Sequence, residues 1–155
     1  MNSTNNKTLV MGLALAAGML ITGCSTEDPH IVCGREWNAA HQVVADTGAE
    51  FAMNDQLFVQ FRYGKNFDFP KLVTTVYRGT LAKRGEKIWD REVAVTEKMG
   101  AYTLVGRAHR GGYMDARELA RVHEPGPVVF EFSANGKVLA AKEINLTHNR
   151  LQKEQ

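Results

Sequence analysis

Cysteine is scarce in this chain: 155 residues contain two, Cys24 and Cys33. Two cysteines allow at most one intrachain bridge, which excludes a small scaffold stapled by several disulfides. Net charge is also nearly absent. The formal total is +2, and removal of Lys7 with the N-terminal segment lowers it to +1, so composition gives no general attraction to nucleic acid. No apolar run reaches the ~20 residues that a membrane-spanning helix needs; the longest, Leu9 to Ile21, has 13. No repeat or low-complexity tract interrupts the chain. Catalytic patterns are missing as well. No Ser, Cys or His sits in a nucleophile motif, Gly111-Gly112 lacks the surrounding phosphate-loop pattern, and Glu92, Glu97, Glu118 and Glu124 are dispersed rather than paired. We therefore expect a protein that is not an enzyme and that requires no cofactor or metal.

What is present begins at the N-terminus. Met1 to Lys7 is polar with one positive side chain, and the 13-residue apolar run follows it, within the length of a secretory signal core. The run closes on Ile21-Thr22-Gly23-Cys24, and the composition turns polar at once with Ser25-Thr26-Glu27-Asp28-Pro29. These residues resemble the bacterial lipoprotein signal peptide and its lipobox of a branched aliphatic residue, a small residue, Gly or Ala, and Cys; Ile21 in place of the commoner Leu is the departure. The resemblance covers about the first 25 residues. It implies that residues 1–23 are removed, that the Cys24 sulfur carries diacylglycerol, and that the new amine is acylated. Small side chains at Thr22 and Gly23 suit entry into a protease, and a thiolate is the side chain nucleophilic enough to take the lipid. Several acyl chains, at roughly 0.8 kcal/mol per buried methylene, make a durable anchor. The same resemblance, with Ser25 rather than Asp after the cysteine, implies sorting to the outer membrane, facing the periplasm.

Lipid on Cys24 leaves Cys33 without an intrachain partner; an unlipidated Cys24 would instead close a small disulfide loop with it. Residues 24–48 are read as a lipidated tether with a short helix, because Trp37, Ala40, His41 and Val44 fall on one face over Glu36 to Asp46. Residues 49–147 are read as a β-domain and 148–155 as a polar tail. From Phe51 to Tyr63 the period changes to two, predicting a strand. Further strands are predicted over Leu72 to Arg78, Lys87 to Val95 and Ala101 to Arg107, and a helix over Asp115 to Val122 with Asp115 as N-cap.

The last hairpin runs from Val128 through Asn135-Gly136 to Leu146. A two-residue loop pairs Phe132 with Leu139 and sends Ile144 and Leu146 to the wrong face. A three-residue loop pairs Phe132 with Val138 and Phe130 with Ala140, gathering Val128, Phe130, Phe132, Val138, Ala140, Ile144 and Leu146 on one side, and is the expected register. Short strands at regular spacing predict a mainly β protein, a small antiparallel sandwich with one or two short helices. A single antiparallel sheet with helices on one face is the alternative. About 20 residues of the closing hairpin are similar to the final hairpin of immunoglobulin-like bacterial modules.

Two surfaces are candidates for binding. Arg107, His109, Arg110, Arg117, Arg121 and His123 gather positive charge around Gly111-Gly112 and suit an acidic partner, lipid phosphate or cell-wall carboxylate. Tyr63, Phe67 and Phe69 form either an aromatic contact loop or a plug at the open end of the sandwich. The expected function is a non-catalytic, lipid-anchored envelope lipoprotein that binds or assembles protein partners at the membrane surface. The alternative is a periplasmic ligand, metal or redox module using Cys33, His30 and His41.

Overall fold

Nine strands and one short helix make up the regular structure of residues 27–151, the part of the chain that the computed structural model describes. Cys24 and its lipobox lie outside the described residues. The first sheet has the order β2-β1-β4-β7 and comprises β1 (His30–Asn38), β2 (Val43–Thr47), β4 (Phe58–Arg62) and β7 (Ala101–Leu104), all antiparallel. The second has the order β3-β9-β8-β5-β6 and comprises β3 (Glu50–Ala52), β5 (Lys71–Gly79), β6 (Arg84–Ala94), β8 (Gly126–Ala134) and β9 (Lys137–Thr147). There the short β3 runs parallel to β9 and the other pairs are antiparallel. The protein is thus mainly β and built as a sandwich of two sheets rather than one sheet backed by helices.

Alternation of side chains supplies the core. Ile31 and Cys33 on β1 face the same side as Val59 and Phe61 on β4 and Leu104 on β7, their cross-strand partners. Opposite them lie Phe51, Leu72, Val76, Val128, Phe130, Phe132, Ile144 and Leu146. Phe61 bridges the layers, its ring 5.1 Å from that of Phe132 and nearly parallel to it. Removing these side chains from water drives the association of the two sheets.

Several expectations are corrected. Residues 36–46 do not form a helix: Trp37 pairs with Val44 across the β1–β2 hairpin, and His30 to Gly34 are strand rather than tether. The spacing of Trp37, Ala40, His41 and Val44 imitates a helix because a tight turn separates two short strands. The turn is held by the Asn38 side chain, whose Oδ1 accepts from the His41 N–H at 3.1 Å, and by Gln42 at φ 51°. Gly34 lets this hairpin fold back over β4, since a Cβ there would overlap the carbonyl oxygen of Ala45 and the Val44 side chain. That placement buries Gln60 on the outer side of β4, where its Nε2 donates to the Gln42 carbonyl at 2.8 Å and to Thr103 Oγ1 at 2.9 Å.

The single strand expected over Phe51 to Tyr63 is two strands in different sheets. The chain crosses between layers at residues 53–57, where the Asp55 carboxylate accepts from the Ala52 N–H at 2.9 Å and pairs with Arg35 at 2.8 Å. The final hairpin also differs from the expected register. Ala134 pairs with Lys137 around a two-residue Asn135-Gly136 turn, both residues at positive φ, and a bulge then places Phe132 opposite Ala140. The extra residue pairs Val128 with Ile144, keeping both on the core face, and leaves Val138 46% exposed, outside the face expected for it. Residues 148–150 are not a free tail: Asn54 and Arg150 exchange two hydrogen bonds, and Arg150 Nε lies 3.2 Å from Asp55. The helix is where the sequence puts it. α1 (Ala116–Ala120) starts at Asp115, whose side chain accepts from the Glu118 N–H while the Glu118 carboxylate accepts from the Asp115 N–H.

Candidate functional site

The strand registers define two poles. His30 pairs with Arg62, and Arg62 with Ala101, so the start of β1 shares one end of the first sheet with the start of β7. β7 runs away from that end, and the segment after Leu104 emerges at the opposite one. There Leu57 donates its N–H to the Met114 carbonyl, and β8 leaves from Gly126. The N-terminal side of the domain and the basic segment 105–123 therefore occupy opposite ends of the sandwich.

At this far pole Arg107 and Tyr113 bridge a small turn, closed by Ala108 N–H to the Gly112 carbonyl and Gly111 N–H to the Ala108 carbonyl. Gly111 and Gly112 have φ of 93° and 78°, a left-handed path that favours glycine and lets the turn close outside the sandwich. Tyr113 packs edge-on to Phe58 at 4.9 Å, and the Arg107 guanidinium sits 4.6 Å over the Tyr113 ring. Arg107, His109 and Arg110 are exposed, and neither arginine makes an ion pair among the described residues.

The other expected cations are divided. Arg117 is committed to Asp115 at 3.3 Å. Arg121 caps α1 with φ 55° and lies over the Trp89 ring at 5.5 Å. His123 is exposed beside Pro125 and lines a shallow depression with Met53, Arg117, His148 and Asn149. His148 and Arg150 reach this pole from the end of the chain, and Arg78 reaches it by donating to the Glu124 carbonyl at 2.9 Å. Sequence spacing gave no sign of these three, because only the pairing of β5, β8 and β9 brings them near residues 115–124.

The aromatic segment lies at the other pole and is interior. Phe67 and Phe69 are 2% and 6% exposed, and Phe67 stacks parallel to Phe61 with centroids 6.1 Å apart. They plug the end of the sandwich, and Tyr63 beside them is half-buried. Outside them Tyr63 Oη donates to Asp68 at 2.8 Å and Lys65 Nζ lies 2.6 Å from the same carboxylate. Lys65 first, then Tyr63, hold Asp68 below the usual carboxylate range.

His30, Cys33 and His41 do not converge. Cys33 is wholly buried among core side chains, whereas His41 is exposed in the β1–β2 turn. Among the described residues no group of three or more His, Cys, Asp and Glu is placed to hold a metal ion. Likewise, no described helix is long and apolar enough to cross a membrane.

No protein-family model matches the chain, and no curated protein matches it. Among solved structures, it is similar to part of a mutant β-glucosidase from Listeria innocua in complex with laminaribiose. Identity is 16% and the TM-score 0.32, over 67% of this chain and 15% of that one, a likeness too slight to carry an argument about fold or activity.

Proposed function

We propose that the protein is a non-catalytic lipoprotein of the cell envelope, anchored through lipid on Cys24, that offers its far basic pole to an acidic protein partner. The observation that carries this reading is the lipobox Ile21-Thr22-Gly23-Cys24 standing directly before the folded domain. Six residue steps separate Cys24 from His30, the first residue of β1, so the domain starts at most about 20 Å from its anchor. With the anchor at one pole, Arg107, His109 and Arg110 at the other point away from the bilayer that holds the protein. That geometry favours a partner reached across the periplasm over the headgroups of the anchoring leaflet. The outer membrane is the proposed location, on the strength of Ser25.

Labelling cells with radioactive palmitate tests the anchor: label is expected on the wild type and is lost in Cys24→Ser. A wild-type protein without label would sink the reading. Affinity capture from membranes tests the partner. Wild type is expected to retain an acidic envelope protein that Arg107→Glu/Arg110→Glu releases; recovery unchanged by reversing both charges would exclude the basic turn as its binding surface.

A further inference from the structure

The sandwich is open along one flank, where the edge strands β6 and β7 face each other with α1 between them. A cleft of about 320 Å³ lies there, at the small end of the range for organic ligands. Its apolar lining comes from Trp89, Leu104, Met114 and Leu119, and its charged lining includes Arg91 and Arg121. The strand register fixes how β6 faces it. Trp89 pairs with Val76 and Arg91 with Thr74, and Val76 and Thr74 are both buried, so Arg91 lies on the core-facing side of the outermost strand. Neither Arg91 nor Arg121 has a carboxylate partner among the described residues. The two acids that also line the cleft are engaged elsewhere, Asp90 with Lys87 at 3.1 Å and Glu118 in the helix cap. The indole Nε1 of Trp89 is buried with no hydrogen-bond partner among the described residues, a donor lacking the acceptor that such groups nearly always find.

We propose that this cleft binds an organic carboxylate with a compact apolar body, about the size of one substituted ring. The apolar portion packs on Trp89, Leu104, Met114 and Leu119. The carboxylate answers Arg91 and Arg121, each able to donate two hydrogen bonds to it. This site is independent of the basic turn, because Arg107 and Arg110 do not line the cleft.

The chain has two tryptophans, so full-length protein labelled with 5-fluorotryptophan in lipid nanodiscs gives two fluorine resonances, assigned through Trp37→Phe. Titration with phenylacetate is expected to shift the Trp89 resonance saturably. The neutral isostere phenylacetamide should bind at least about tenfold more weakly, as should phenylacetate to Arg91→Gln or Arg121→Gln, while Arg110→Gln stays at the wild-type value. An unchanged Trp37 resonance shows that each variant is folded. A shift that does not saturate, equal affinity for acid and amide, or indifference to both cleft substitutions would overturn the proposal. So would an Arg91→Gln protein that self-associates along β6 yet binds phenylacetate normally, for Arg91 would then be guarding a free strand edge.

Discussion

Cys33 has no exposed surface on the inner side of β1, and burial pushes its thiol from 9.0 up to about 12, against a weaker opposing pull from Lys142. The consequence for stability has a definite sign. The unfolded chain releases this proton near pH 9 while the folded chain keeps it, so the contribution is complete below pH 9 and is lost as pH rises toward 12. The whole effect amounts to about 4 kcal/mol, of which about 2 kcal/mol is gone by pH 10.5. Urea unfolding at pH 8 and pH 10.5 is expected to show a larger fall for the wild type than for Cys33→Ala, which has no thiol to titrate. Equal falls would remove Cys33 from the account of alkaline stability. The same burial would keep Cys33 harmless under the proposed lipidation of Cys24, since a protonated, enclosed thiol is a poor nucleophile.

At the scale of elements, what the sequence revealed depended on whether neighbours in sequence were neighbours in space. Asp115 and Glu118 cap α1 through contacts three residues apart, and their spacing is readable directly. Leu72 to Arg78 is a run rich in β-branched residues and matches β5. The β1–β2 hairpin was not readable, because its turn places Gln42, a residue with no special liking for positive φ, in the left-handed region. Nor was the break after Ala52, since Phe51 and Val59 keep an even spacing although they belong to facing sheets. The basic turn was legible as composition, but Arg78, His148 and Arg150 join its pole through long-range pairing alone. The β8–β9 bulge was missed for a similar reason: two-residue and three-residue loops were weighed, whereas the chain combines a two-residue turn with an inserted residue. Substitutions separate these registers. Val138→Lys is expected to change stability by less than about 0.5 kcal/mol, as an exposed site should. Ile144→Ala, at a site with 1% exposure, should cost about 2–5 kcal/mol. Chemical denaturation measures both, and a severe loss in Val138→Lys would restore the three-residue loop.

For the molecule as a whole, the proposed location and the observed core have separate sources. The described domain holds a continuous core from Ile31 to Leu146 without a disulfide among its described residues. The lipid proposed on Cys24 is therefore expected to add nothing to folding. Cys24→Ser should move the protein out of the membrane fraction while leaving its thermal midpoint within about 2 °C, roughly what a few tenths of a kcal/mol would produce. A midpoint many degrees lower would mean that the anchor contributes to the fold. The separation of the poles also governs how the domain carries load. Tension between a tether entering at His30 and the proposed partner gripping the turn after β7 would run along the strands, drawing β1 one way and β7 the other with β4 between them. The ladders joining Ile31 to Phe61 and Phe61 to Tyr102 are then stressed in shear, with many hydrogen bonds resisting together rather than opening one at a time. A sandwich strung from end to end in this way, as the proposed anchor and partner would string it, is a mechanical link, stiff along the line between its two poles.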